Sequence, residues 1–155
     1  MEQALQLAKE ANANQEVPVG CVFVYRDNVF ASGANLVNKQ KNATRHAEMI
    51  CIDHVLDYCK QNELDYHNVF EEISVVVTVE PCIMCAGALI ELNVKEIIFG
   101  CVNDRFGGTT VVNVFELLKS NIKIQGGVRA VEAMDLLKEF YKGENPSAPV
   151  VKNRK

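Results

Sequence analysis

Two short stretches carry side chains able to hold a metal ion. In Glu80-Pro81-Cys82-Ile83-Met84-Cys85 two thiols stand three residues apart, so they can share one face of a helix. Pro81 directly before them favours a first helical position, where its missing N–H is unpaired anyway. In Thr44-Arg45-His46-Ala47-Glu48 an imidazole is followed two positions later by a carboxylate. Within a helix, residues two apart point to different sides. At a helix start, both can approach an ion lying just beyond the helix end. The pattern therefore predicts two helix N-termini converging end-on, their partial positive ends favouring thiolates and hydroxide.

One histidine and two thiolates suit zinc better than a hard, oxygen-preferring cation. Three protein ligands, His46, Cys82 and Cys85, leave a fourth position for water, and zinc brings that water's ionisation near neutral pH. Glu48 is then free to shuttle protons. A C-x-x-C pair alone serves structural sites equally well, and those want a fourth protein ligand. His54, His67, Cys51, Cys59 and Cys101 are the candidates, but none shows a second C-x-x-C or H-x-x-x-H spacing. The added H-x-E is what favours catalysis.

The elements that must position these groups fit one domain. The chain has 155 residues, 48% hydrophobic and 23% charged, ordinary values for a globular protein with a real core. No apolar run approaches membrane-spanning length. An N-terminal segment carrying Glu2, Lys9, Glu10 and Glu16 is not a secretory signal, so the six cysteines read as reduced thiols and ligands in an intracellular protein. Sixteen basic against twenty acidic residues give a net charge of −4. That argues against an autonomous, tight nucleic-acid binder, while leaving room for local basic patches or a basic partner.

Periodicity predicts a helix over 2–14, strands over 18–25 and 29–32 joined by a turn at Arg26-Asp27-Asn28, and a loop over 35–41. A helix from about Thr44 carries two apolar stripes: Ala47, Ile50, Cys51, Val55 and Tyr58, then Met49, Ile52, Leu56 and Cys59. His54 continues the first stripe and reads as half-buried. Residues 61–72 read as a polar surface connection, with His67 solvated, and the β-branched run 73–79 as a central strand. A helix over 82–92 follows, its Ala86, Gly87 and Ala88 allowing close approach to the sheet. Then come a strand over 94–101, a loop over 103–109, weak helix over 111–119, a short strand over 122–125 and a last helix over 128–142. Strands alternating with helices after a hairpin give a mixed sheet covered on both faces.

His46-Ala47-Glu48 with Pro81-Cys82-Ile83-Met84-Cys85 resembles the H-x-E…P-C-x-x-C signature of zinc-dependent nucleobase deaminases. Within that superfamily, Glu16-Val17-Pro18-Val19-Gly20, Asn35 and the stretch Thr78 to Ala88 are similar to tRNA-specific adenosine deaminases. Arg105-Phe106-Gly107-Gly108, the stretch Phe140 to Pro146 and a long spacer between the half-sites resemble the catalytic subunit of the eukaryotic heterodimeric wobble-adenosine deaminases. The likeness runs from about residue 3 to residue 142.

The resemblance implies a three-layer α/β/α cytidine-deaminase-like fold with about five strands, as a single deaminase domain over 1–142 and a basic tail over 143–155. It implies one catalytic zinc ion on His46, Cys82 and Cys85. Glu48 would take a proton from the attacking water, pass it to N1 of adenine and help ammonia leave C6. Asn35 would contact the nucleoside, and Val19 and Ala47 would line the base pocket. Beyond the resemblance, Lys152, Arg154 and Lys155 in the tail read either as contacts to RNA phosphates or as a solvated basic end. The expected substrate is the wobble adenosine of tRNA, and the expected partner a paralogous, non-catalytic subunit, with a homodimer as the arrangement in its absence. The location would be the nucleus, the cytoplasm or both. Two rival readings stand beside this: a deaminase of free cytidine, cytosine or guanine, and a non-catalytic zinc-containing RNA-binding subunit.

Overall fold

The computed structural model describes residues 1–143, so Lys152, Arg154 and Lys155 lie outside the described residues. Five strands, β1 (Gly20–Tyr25), β2 (Asn28–Ala34), β3 (Ile73–Val79), β4 (Glu96–Cys101) and β5 (Lys123–Gln125), form one sheet in the order β2-β1-β3-β4-β5. β1 is antiparallel to β2 and β3, whereas β3, β4 and β5 run parallel. Arg26 and Asp27 turn the hairpin with φ of 49° and 64°, the left-handed pair that a two-residue type I′ turn needs.

The helices are α1 (Glu2–Ala13), α2 (Val37–Gln40), α3 (Ala47–Gln61), α4 (Tyr66–Phe70), α5 (Ile83–Glu91), α6 (Val114–Leu117) and α7 (Ala130–Lys142). α1 and α7 cover one face, burying Leu5 and Ala133 with Val79 and Cys101. On the other face Cys51 and Val55 of α3 and Ala86 and Leu89 of α5 pack on Cys21, Phe23, Val75, Val77, Ile97 and Phe99. This is the expected three-layer mixed-sheet architecture. None of the described helices is long and apolar enough to cross a membrane.

Strand directions gather the ends that matter. Gly20 pairs with Ala34, Cys21 with Val77 and Val79 with Cys101. The start of β1 and the ends of β2, β3 and β4 therefore share one edge, which brings Val19, Asn35, Glu80 and Asn103 together. In open α/β sheets ligands bind in the crevice outside the carboxyl ends of parallel strands. Gly33 lets the first turn of α3 settle there, since a Cβ on it would meet the Ala47 carbonyl oxygen at 2.7 Å.

Several local expectations need correction. The 35–41 loop contains α2, whose Asn38 and Lys39 N–H groups are satisfied by Glu16 rather than by local caps. The 61–72 connection contains α4, capped by Asp65 and burying Val69 and Phe70. Pro81 precedes the N-cap Cys82 and is not the first helical residue. Gly87 faces open space, so it makes no close approach to the sheet; the tight contact is made by Gly108, where a Cβ would meet Ala86 Cβ at 2.5 Å. His54 and Tyr58 are exposed rather than continuing the buried stripe; Tyr58, in the last turn of α3, rests edge-on against Phe30 instead of entering the core.

Candidate metal centre and active site

His46 is the N-cap of α3 and Cys82 the N-cap of α5, both with extended backbone. An N-cap side chain sits beside the free N–H groups of its own helix end. Cys82 Sγ uses that position, accepting from the Cys85 N–H at 3.5 Å. The two helix ends thus meet as their sequence spacing predicts. His46 Nδ1 is 3.5 Å from both Cys82 Sγ and Cys85 Sγ, and the three donor atoms lie within 4.8 Å of one another. Tetrahedral zinc with ordinary Zn–S and Zn–N bonds places sulfur and nitrogen about 3.6 Å apart. The donors fit zinc in type and spacing.

Among the described residues no further Cys, His, Asp or Glu joins this group. His54 and His67 are exposed, and Cys51, Cys59 and Cys101 are buried in the core as small hydrophobes. Burial pushes the Cys101 thiol up to about 11, far from the reactive range. The three donors lie close enough to shift one another's affinity for the protons they share. The Cys85 thiol and then the His46 ring hold Cys82 as a thiolate, pulling it down to about 4 against its burial. The Cys82 sulfur in turn keeps the proton on Cys85, helped by burial and by Glu48. His46 is raised by its bond to Cys82. A divalent cation takes the place of those shared protons.

Glu48 lies in the first turn of α3, is only 4% exposed and sits against Cys85. Burial pushes its carboxyl up to about 7, a value suited to taking and returning a proton near neutrality. Asn35 donates its backbone N–H to the Val19 carbonyl at 3.1 Å, and Leu36 donates to the Arg45 carbonyl at 2.9 Å. Val19 and Asn35 are thereby fixed next to the segment bearing His46, with Ala47 fully buried at the start of α3. Arg45, just before the N-cap of α3, is tied to Asp53 of that helix at 2.7 Å. A cleft of about 470 Å³ between α1 and α2 touches Glu16 and Asn35 but none of the metal donors, so it is not the metal site.

Two buried carboxylates escaped the sequence reading. Glu80 is 2% exposed and grips the 103–110 loop. Its Oε1 accepts from the Thr109 and Thr110 N–H groups and the Thr109 hydroxyl at 2.6–2.8 Å, and its Oε2 from the Asn103 N–H and the Thr110 hydroxyl at 2.7–2.8 Å. Around it Gly108 N–H donates to Pro81 and Ile83 N–H to Phe106, each at 2.9 Å. The corner bearing Cys82 is thus locked to that loop. Glu16, likewise buried, binds Asn35 and the start of α2. The available signal was a carboxylate abutting an apolar strand run, where an unsatisfied charge is not left.

An open mixed sheet that presents one imidazole and two thiols at facing helix ends, beside a buried carboxylate, defines the class: a zinc-binding α/β enzyme. Residues 1–101 match the family model for the cytidine and deoxycytidylate deaminase zinc-binding region, and the chain belongs to that deaminase family. It is 51% identical over 160 residues to the tRNA-specific adenosine deaminase 2 of Xenopus tropicalis, covering all of this chain and 94% of the relative. It is 40% identical over 158 residues to the tRNA-specific adenosine deaminase subunit tad2 of Schizosaccharomyces pombe, covering all of this chain and 39% of that longer relative. A solved structure from work on A-to-I editing by tRNA:A34 deaminases at the wobble position superposes with a TM-score of 0.77 at 26% identity, over 88% of this chain and 97% of the other.

Proposed function

We propose that the chain is the catalytic subunit of a tRNA adenosine deaminase, converting the wobble adenosine of anticodons to inosine with release of ammonia. The observation that carries the chemistry is the buried Glu48 carboxylate set beside a three-donor metal group at two converging helix ends. His46, Cys82 and Cys85 would hold the ion, and zinc held there would supply a water made nucleophilic near neutral pH. Glu48 accepts the water's proton and delivers it to N1 of adenine. It then takes the proton of the new C6 hydroxyl and passes it to the amine, which leaves as ammonia while the C6 carbonyl forms. Asn35 fixes the nucleoside, while Val19 and Ala47 shape the base pocket. The adenosine and tRNA specificity is taken over from the similar proteins named above.

A partner subunit belongs to this reading. The nine-residue α5 has no polar side chain before Glu91, yet Ile83 and Met84 are exposed on it. The adjoining segment leaves Phe106, Leu117 and Leu118 exposed as well. An apolar surface of this kind beside the site suits a second deaminase-like chain, which would also supply the RNA grip that the net charge of −4 does not. Lys152, Arg154 and Lys155 of the 143–155 tail would add phosphate contacts beyond the 1–142 domain, in the nucleus, the cytoplasm or both.

The test is conversion of adenosine to inosine, in tRNA and as the free nucleoside, and of free cytidine to uridine, by this chain with and without a paralogous partner. Inosine at the wobble position that disappears in Glu48→Ala, with zinc still bound, supports the reading. Robust turnover of free cytidine with none on tRNA replaces it by the free-nucleoside reading, and full activity of Glu48→Ala removes the role given to that residue.

A further inference from the structure

Glu16 is 2% exposed and Asn35 5% exposed. The Asn35 Nδ2 group donates to Glu16 Oε2 at 3.1 Å. The same oxygen accepts the Asn38 N–H at 3.0 Å, and Oε1 accepts the Lys39 N–H at 2.6 Å. An ionised carboxylate only accepts hydrogen bonds. The reversed amide would set Asn35 Oδ1 against a carboxylate oxygen, so the network itself selects one orientation. Among the described residues no donor reaches Asn35 Oδ1. The amide plane is consequently held from behind, with its oxygen left for another group.

We propose that Glu16 is a positioning residue: by fixing the amide of Asn35 and the start of α2, it sets the affinity for the target nucleoside without touching it. This rests on the reading of Asn35 as a nucleoside contact. The carboxyl group is buried for a local reason, since it satisfies three donors of one segment, and a hydrophobe of similar size could satisfy none. Its reach also holds the polar stretch Asn35 to Lys41 against the end of α1, with Leu36 bonded to the segment that bears His46. Substrate meets an acceptor already oriented, so less ordering remains to be done on binding.

The test is a double-mutant cycle in the zinc-loaded protein with its partner. The four proteins are wild type, Glu16→Gln, Asn35→Ala and the double variant, assayed on whichever of tRNA, adenosine or cytidine the wild type deaminates. Titration of adenosine into the same set carrying Glu48→Ala reports affinity without turnover. Glu16→Gln and Asn35→Ala are each expected to raise KM roughly three- to tenfold, the net worth of one hydrogen bond, with kcat within about twofold. In the Asn35→Ala background Glu16→Gln should add less than about twofold. A full, unchanged effect of Glu16→Gln in that background, or none in wild type, overturns the proposal. Asn35→Asp serves as the second probe, because it sets two carboxylates face to face. The pair Glu16→Gln with Asn35→Asp restores a donor and an acceptor in exchanged places, and should recover melting temperature and part of the lost affinity. No recovery counts against the coupling. If Asn35→Ala leaves KM unchanged, the reading of Asn35 has failed instead; if the wild type favours cytidine over tRNA, the substrate reading has failed while the cycle is still scored.

Discussion

Glu48 and Glu80 are buried alike, at 4% and 2% exposure, and stand on the two corners that carry the metal donors, yet they titrate in opposite directions. Around Glu48 burial dominates and carries the carboxyl up to about 7, against weaker lowering by its own backbone N–H. Burial pushes Glu80 up as well, but the hydroxyls of Thr109 and Thr110 and the N–H groups of Asn103 and Thr110 outweigh it and hold the carboxyl below its ordinary value. Donors, rather than depth, decide what a buried carboxylate does. A group short of donors keeps a mobile proton, and a group saturated with them becomes an anchor.

The largest effect that separates the two is on turnover. Glu48→Gln is expected to lower kcat by about 10²–10⁴, the range for a lost general acid–base, with metal content retained by elemental analysis and melting temperature nearly unchanged. Activity within about tenfold of wild type would place the proton transfer elsewhere. Glu80→Gln should do the reverse. It exchanges one accepting oxygen for a donor facing the Asn103 N–H and Thr110 hydroxyl, for a loss of about 2–3 kcal/mol or roughly 5–10 °C in melting temperature. Hydrogen exchange in 103–110 should rise sharply, while kcat falls only a few-fold. A kcat loss matching that of Glu48→Gln, without loop opening, would erase the distinction.

How far each corner could be read from sequence follows the same division. His46, Glu48, Cys82 and Cys85 were legible because their partners are two or three residues away at predictable helix starts. The central strand 73–79 was legible from its β-branched run, and both faces of the sheet from the alternation of elements. Glu80 was not, since its donors lie 23 to 30 residues on and most are backbone N–H groups, which any residue type supplies. Glu16 is hidden in the same way behind Asn38 and Lys39. The short helices α2 and α4 hold through a distant carboxylate and two buried side chains rather than through periodicity. Gly87 and Gly108 show the remaining gap: both allow close packing, and only the path of the loop decides that Gly108 uses it.

A smaller effect sharpens the comparison through pH, in chelated protein where no ion overrides Glu48. The folded value of Glu80 lies below its ordinary 4.5, so its contribution to stability is full above that pH and is lost as pH falls through the folded value. The folded value of Glu48 lies above, at about 7 against 4.5, so its contribution is full below 4.5 and fades as pH rises to about 7. Urea denaturation across pH 3 to 8 should show Glu80→Gln flattening the acid limb and Glu48→Gln flattening the limb between about 4.5 and 7. An unchanged neutral limb in Glu48→Gln would mean that its burial is relieved in solution.

The smallest expected effect belongs to a residue that shares a helix with Glu48 and a chemistry with His46. His54 is exposed on α3, and its ring has no place in the donor group. Six residues separate it from Glu48, so nearly two helical turns of about 5.4 Å each lie between them along the axis. His54→Gln should leave zinc content and kcat unchanged and shift stability by no more than about 0.5 kcal/mol, as surface substitutions do. Loss of zinc in that variant would bring a fourth protein ligand back into the site, and with it the structural reading of the metal. Retention of both metal and turnover leaves the two N-caps and Cys85 as sufficient to hold the ion, and keeps the next coordination position for water beside Glu48.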